Sequence, residues 1–176
     1  DSGAELVAER LAATPSGLRF TARTPQGRAQ VEAPLLGEFN ASNLLAVLGV
    51  LLASGVPLER ATAVLGGLTS APGRMQAVGG DGRPLAVIDY AHTPDALDKA
   101  LAALRGTAGA RGGRLVCVFG CGGNRDPGKR PLMGEVATRR ADATILTSDN
   151  PRDEPPQAII ADIARGAPDA RTIPDR

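Results

Sequence analysis

An α/β fold built on a parallel sheet is what the second half of this sequence predicts, and three observations predict it. Short apolar runs recur at Leu85–Asp89, Leu115–Phe119 and Ala143–Thr147. The runs are apolar at consecutive positions rather than alternating, which is the pattern of strands covered on both faces. Each is followed by a polar or glycine-rich turn and then by a stretch with helical character, and strand–turn–helix repetition of this kind builds a parallel sheet.

The first half reads differently. Leu18–Ala22 and Ala29–Ala33 alternate around the turn Thr24-Pro25-Gln26-Gly27, predicting a β-hairpin that Pro34 and Gly37 end. Asn40 or Ser42 can cap a helix over Asn43–Ala53, apolar nearly all round and so expected to be buried. Gly55 stops it, and Pro57 opens a second helix to about Leu65, closed by Gly66-Gly67. Breaker-rich segments at Ser70–Arg74 and Gly79–Gly82 mark a domain boundary. Beyond it, helices are expected from Pro94 to about Leu104, across Met133 to Arg140, and from Pro155-Pro156 through Ile159, Ile160 and Ile163. Arg171-Thr172-Ile173 reads as the start of a fourth strand.

Composition narrows the function classes. Aromatic residues make up 2% of the 176 residues, too few for the stacking platforms of single-strand nucleic-acid binding. Charge is nearly balanced, 20 Lys+Arg against 19 Asp+Glu, with no basic stripe, so a nucleic-acid partner is not expected. No apolar run approaches the roughly 20 residues that span a bilayer. The N-terminal residues lack both an initiator Met and the basic-then-apolar pattern of a signal peptide, so the expectation is a soluble, cytoplasmic chain cut from something longer. Cys117 and Cys121 with the single histidine, His92, do not complete a four-ligand zinc set, and the cysteines read as small buried or turn residues.

In open α/β sheets ligands bind beyond the carboxyl ends of the strands. Three polar segments fall there: Asp89–Pro94, Gly120–Pro131 and Ser148–Arg152. The second invites two wrong readings. As a dinucleotide fingerprint it has Gly120 and Gly122, but Arg125 stands where the third glycine belongs. As a phosphate loop, Gly123–Lys129 gives G-x-x-x-x-G-K, but Arg130 follows and lacks the hydroxyl that holds Mg²⁺. What remains is a glycine-shaped turn presenting Arg125, with Lys129 and Arg130 nearby, which fits either a carboxylate site or an ordinary solvated loop. In the third segment Asp149, Asn150 and Arg152 offer an anionic acceptor, an amide and a cationic fork, a set that matches a zwitterion. Read alone, a polar strand-to-helix turn fits the same residues. Asp89 could accept from sugar hydroxyls; His92 could act as acid or base, or bond backbone in its turn. Asn40 and Asn43, at i and i+3, could read a purine edge or serve the helix start.

Together these segments resemble the Mur ligases. The carrying stretches are GEFNASNLLAV (37–47), PGRM (72–75), VIDYAHTPDAL (87–97), VFGCGGNRDPGKRPLMG (118–134) and TSDNPRDEPPQAII (147–160). The match is close to the MurE type and spans residues from about 17 to 165. The resemblance implies a fold made of the end of a central ATP-binding domain (1–72), a linker (73–84) and a Rossmann-like C-terminal domain (85–176), both domains incomplete. It implies an ATP-dependent ligase of peptidoglycan synthesis. In that family the terminal carboxylate of UDP-N-acetylmuramoyl-L-alanyl-D-glutamate is phosphorylated, and the amine of meso-2,6-diaminopimelate displaces phosphate from the acyl phosphate.

The roles implied for matching positions are as follows. Asn43, with Asn40 beside it, would face the adenine of ATP. Arg74 and Asp89 would meet phosphate and ribose. Arg125 would bind a carboxylate of the amino acid, and Asp149, Asn150, Pro151 and Arg152 would form the diaminopimelate-recognition motif. Diaminopimelate carries a carboxylate at its far end where lysine has none, so Arg152 would face lysine unpaired, which is costly.

The family's uridine-nucleotide domain, G-x-x-G-K-T/S loop, carbamylated lysine, Mg²⁺-binding glutamate and GKGHE-like segment have no counterpart in these residues. No catalytic or metal-binding residue is therefore expected in this chain, and alone it should not catalyse ligation. A lysine-adding relative, or a non-catalytic nucleotide-binding Rossmann-like module, are the alternatives.

Overall fold

The alternating segments near the N-terminus form an antiparallel meander rather than a lone hairpin. In a computed structural model of the chain, which describes residues 3–80 and 82–175, β1 (Val7–Thr14), β2 (Gly17–Thr24) and β3 (Gly27–Ala33) pair in the order β1-β2-β3. Thr24 lies opposite Gly27, so Pro25-Gln26 is the two-residue loop expected. β1 has no clean alternation to read, because its register shifts between Glu9 and Ala12 and Arg10 takes φ 56°. Such a bulge breaks the period-2 pattern.

The helices α1 (Phe39–Ala53) and α2 (Leu58–Gly66) cover one face of this sheet. Leu18, Phe20 and Ala22 of β2 and Val31 and Ala33 of β3 form a buried core with Ala41, Leu44, Leu48, Ala61 and Leu65. Each large apolar side chain so buried contributes about 1.5–3 kcal/mol. α1 starts four residues before the expected Asn43, and no side chain caps it. It is also not buried all round: Val47 and Val50 are exposed, while Ala41, Leu44 and Leu48 face the core.

β4 (Gln76–Gly79) and β5 (Leu85–Ile88) pair antiparallel, Gln76 opposite Ile88 and Gly79 opposite Leu85. This corrects the expectation that Leu85–Asp89 opens the parallel sheet: the run pairs with its nearest upstream neighbour. Asp81, in the breaker-rich stretch between them, lies outside the described residues, as do Asp1, Ser2 and Arg176.

The chain divides into two compact units, Asp1–Tyr90 and Ala91–Arg176. The second unit holds α3 (Pro94–Ala110), β6 (Val116–Phe119), α4 (Lys129–Arg140), β7 (Ala143–Leu146), α5 (Pro156–Ala164) and β8 (Arg171–Thr172). Its strands pair parallel in the order β6-β7-β8. α3 begins at its expected proline, with the Thr93 hydroxyl accepting from the Ala96 N–H, but runs past Leu104 because buried Thr107 continues its inner face.

The sheet is covered on one face only in these residues. Cys117 and Leu146 join Leu97, Leu101, Met133, Val136, Ile159 and Ile163 in one core, whereas Val116 and Val118 are 48% and 60% exposed. The both-faces expectation therefore fails for β6. α4 and α5 approach closely enough that a Cβ on Gly134 would lie 2.3 Å from the Ile163 carbonyl oxygen and one on Gly166 1.9 Å from that of Pro131.

Candidate functional site

The turn after β6 and the turn after β7 lie side by side at the carboxyl ends of two parallel, paired strands. They touch through backbone. A Cβ on Gly120 would stand 2.3 Å from the Thr147 carbonyl oxygen, and one on Gly123 1.8 Å from that of Pro151. The glycine-rich run is thus explained by the close approach of a second loop, with no phosphate required. The Gly123 N–H donates to the Asn150 carbonyl at 2.9 Å.

Side chains stitch the same two turns. Asn124 and Arg152 both take left-handed backbone, φ 53° and 48°, unusual outside glycine. Each is held by the other turn. The Asn124 N–H donates to Glu154 Oε1 at 2.6 Å and its Nδ2 to Asp153 Oδ2 at 2.7 Å. Arg152 Nη1 donates to the Gly123 carbonyl, and the Arg152 N–H to Asn150 Oδ1 at 3.4 Å. Arg152, Asn150 and Asp149 are exposed and Pro151 is half-buried. Arg125 is exposed, and among the described residues it has no ion-pair partner. The arrangement is therefore one uncommitted guanidinium beside a partly committed one, with an amide and a carboxylate between the strand ends.

Arg130 is not where the sequence reading put it. Instead of being presented beside Arg125, it is buried at 2% exposure. Its guanidinium meets Glu154 with two nitrogens, Nη2 to Oε1 at 2.9 Å and Nη1 to Oε2 at 2.8 Å, and Nη1 also meets Asp162 Oδ2 at 2.9 Å. The Arg130 guanidinium, and next the Asn124 N–H, hold the Glu154 carboxyl below its ordinary range. Glu154 was not singled out from sequence. The available signal was its position, two residues beyond Arg152. Lys129 reaches back to the His92 carbonyl at 2.8 Å, tying the turn before α3 to the start of α4.

Cys117 and Cys121 are free and buried. Burial pushes the Cys117 thiol up to about 11 and raises Cys121 as well, so both are inert as nucleophiles. Among the described residues, no group of three or more His, Cys, Asp or Glu could hold a metal ion, and no helix is long and apolar enough to cross a membrane.

In the first unit the predicted residues fall into two pairs. Asn43 Nδ2 donates to Asn40 Oδ1 at 2.9 Å and Asn40 Nδ2 to the Leu36 carbonyl at 2.8 Å, so neither caps α1 from outside; both sit in its first turns. The Asn43 oxygen and its second N–H lie on an exposed residue. Arg74 and Asp89 flank the paired ends of β4 and β5. Asp89 Oδ2 accepts from the Met75 N–H at 2.9 Å, holding Met75 at φ 48°, and the Arg74 guanidinium stacks 5.2 Å from the Tyr90 ring centre.

The two turns thus form one surface at the carboxyl ends of a parallel sheet, the place where open α/β folds bind ligands. Residues 73–176, more than half of the chain, match the Mur ligase, glutamate ligase domain, and the chain belongs to the Mur ligase family. It is 59% identical over 161 residues to the UDP-N-acetylmuramoyl-L-alanyl-D-glutamate–2,6-diaminopimelate ligase of Chromobacterium violaceum, covering 92% of this chain and 32% of that protein. The ligase of the same name from a Janthinobacterium strain is 51% identical over 99% of this chain and 34% of its own length. A solved structure of a protein with that name superposes with a TM-score of 0.75 at 41% identity, over 100% of this chain and 36% of that one. A MurF structure from Acinetobacter baumannii, at 22% identity and a TM-score of 0.71, shares the fold. The chain thus spans about a third of the length of the curated relatives it matches.

Proposed function

We propose that this chain is the amino-acid-recognition part, with the end of the nucleotide domain, of an ATP-dependent ligase that adds meso-2,6-diaminopimelate to UDP-N-acetylmuramoyl-L-alanyl-D-glutamate in cytoplasmic peptidoglycan synthesis. The observation that carries the reading is Arg125, exposed and without an ion-pair partner among the described residues, beside a turn holding Asp149, Asn150, Pro151 and Arg152. A diaminopimelate zwitterion offers carboxylates to the two guanidinium groups and an ammonium to Asp149. Arg152 already gives one N–H to Gly123, which fixes the direction of its remaining donors.

In this reading the chain's own residues bind and orient the amine. The acyl phosphate forms on groups beyond these residues, and the amine nitrogen displaces its phosphate to leave an amide. Holding the nucleophile in place is worth several kcal/mol of barrier by itself. ATP fits the first unit through the exposed Asn43 amide and the Arg74 guanidinium, with Asp89 toward ribose. In this reading the ligands of Mg²⁺ lie on groups beyond these residues. The domain division follows the same reading: 1–72 closes the nucleotide domain, 73–84 links, and 85–176 carries the amino-acid site.

Amino-acid-dependent phosphate release by the complete ligase carrying this chain tests it. Diaminopimelate should support release and lysine should not. Arg152→Ala should raise the KM for diaminopimelate about 10²-fold, the scale of a lost charged hydrogen bond with a stranded partner. Preference for lysine, or an unchanged KM, overturns the assignment.

A further inference from the structure

We propose that Glu154 and Arg130 are positioning residues of the amino-acid site, clamping the Arg125 turn against the turn of residues 149–152. The inference rests on the functional reading above. Neither residue need touch the substrate.

Glu154 bridges the Arg125 turn, the turn of residues 149–152 and the first turn of α4. One oxygen accepts from the Asn124 N–H at 2.6 Å, and Asn124 immediately precedes Arg125. The same carboxylate takes the two-pronged Arg130 fork at 2.9 and 2.8 Å. The Glu154 backbone N–H closes on the Pro151 carbonyl at 3.0 Å, within the turn that carries Arg152. Arg130 in turn anchors the first turn of α4 to Asp162 of α5. The clamp therefore fixes Arg125 and Arg152 relative to each other through a common carboxylate.

Two features argue that stability is not its main product. Arg130 lies in the first turn of α4, where the helix dipole disfavours a cation. Its Nε is buried with no hydrogen-bond partner. A buried, incompletely satisfied ion pair is a weak stabiliser compared with apolar packing, but it is directional. What it does supply here is a fixed acceptor for the N–H of the left-handed Asn124.

The test uses the complete ligase carrying this chain, with Glu154→Ala, the milder Glu154→Gln, which keeps an acceptor for Asn124 but loses the charge, and Asp98→Asn as a control at the far end of α4. The control residue, Asp98, lies on α3 and pairs with Arg139 and Arg140 at the far end of α4. Steady-state KM values for diaminopimelate, ATP and the UDP-linked substrate are measured separately, with unfolding midpoints. The expected result is a 10- to 100-fold rise in the diaminopimelate KM for Glu154→Ala and a smaller rise for Glu154→Gln. The other two KM values stay within twofold, and Asp98→Asn changes none of the three. Should Glu154→Ala not fold, Glu154→Gln decides. A diaminopimelate KM unchanged in Glu154→Gln, or raised in step with the other two, overturns the clamp. Wild-type enzyme that releases no phosphate with diaminopimelate overturns the functional reading instead.

Discussion

The two ends of α4 carry the same chemistry to different ends. At its C-terminal end Arg139 and Arg140 pair with the half-buried Asp98 of α3 at 2.8 and 2.7 Å. Basic residues there favour the helix dipole, and the pairs join two helices whose apolar faces are already packed. At the N-terminal end Arg130 is buried, opposes the dipole, and pairs with Asp162 of α5 and with Glu154, whose carboxylate also holds the Asn124 turn. The first network follows the rules of helix stability. The second departs from them at the place where the proposed amino-acid site lies, and such local departures mark function more often than packing.

The largest separation between the ends should come from removing charge. Arg130→Met leaves Glu154 and Asp162 without their shared cation and should destabilise the protein by about 3 kcal/mol, read from denaturant midpoints. A loss below that of Asp98→Asn would erase the distinction. Next is Gly123→Ala. Its Cβ falls 1.8 Å from the Pro151 carbonyl oxygen, so the loops must part; a cost of about 2 kcal/mol is expected, with a raised diaminopimelate KM.

Acid should then separate the networks by pH. Both carboxyls are lowered by folding, so each contributes stability above its unfolded value and loses it as pH falls through the folded one. Asp98, held down to about 2 chiefly by the Arg140 and then the Arg139 hydrogen bonds, should keep its contribution until pH drops from about 3.8 towards 2. Asp98→Asn should flatten the stability slope in that window and leave Glu154's contribution, lost as pH falls below the ordinary glutamate value, unchanged. The smallest effect is Asp98→Asn at neutral pH, a loss below that of Arg130→Met that added salt reduces, since these pairs are partly exposed.

Much of this was legible in the chain. Pro94, Pro156 and the Gly66-Gly67 stop mark helix ends because proline and glycine act locally, through φ and the missing donor or Cβ. The Pro25-Gln26 loop follows from alternation on either side. Strand partners were not legible. Leu85–Ile88 is apolar enough for a central strand, yet pairs antiparallel with Gln76–Gly79, because periodicity records burial and not the neighbour. α1 looked buried all round because apolar residues do not announce which face is covered.

For the proposed site, the sequence by itself determined which residues carry charge beyond the strand ends, Arg125 and Asp149–Arg152, and a family pattern specific enough to name their class. Only the tertiary structure decided that Arg130 is buried while Arg125 is exposed, and that Glu154 joins their turns. Burial of an arginine depends on carboxylates 24 and 32 residues away arriving within 3 Å, a contact that no local propensity encodes.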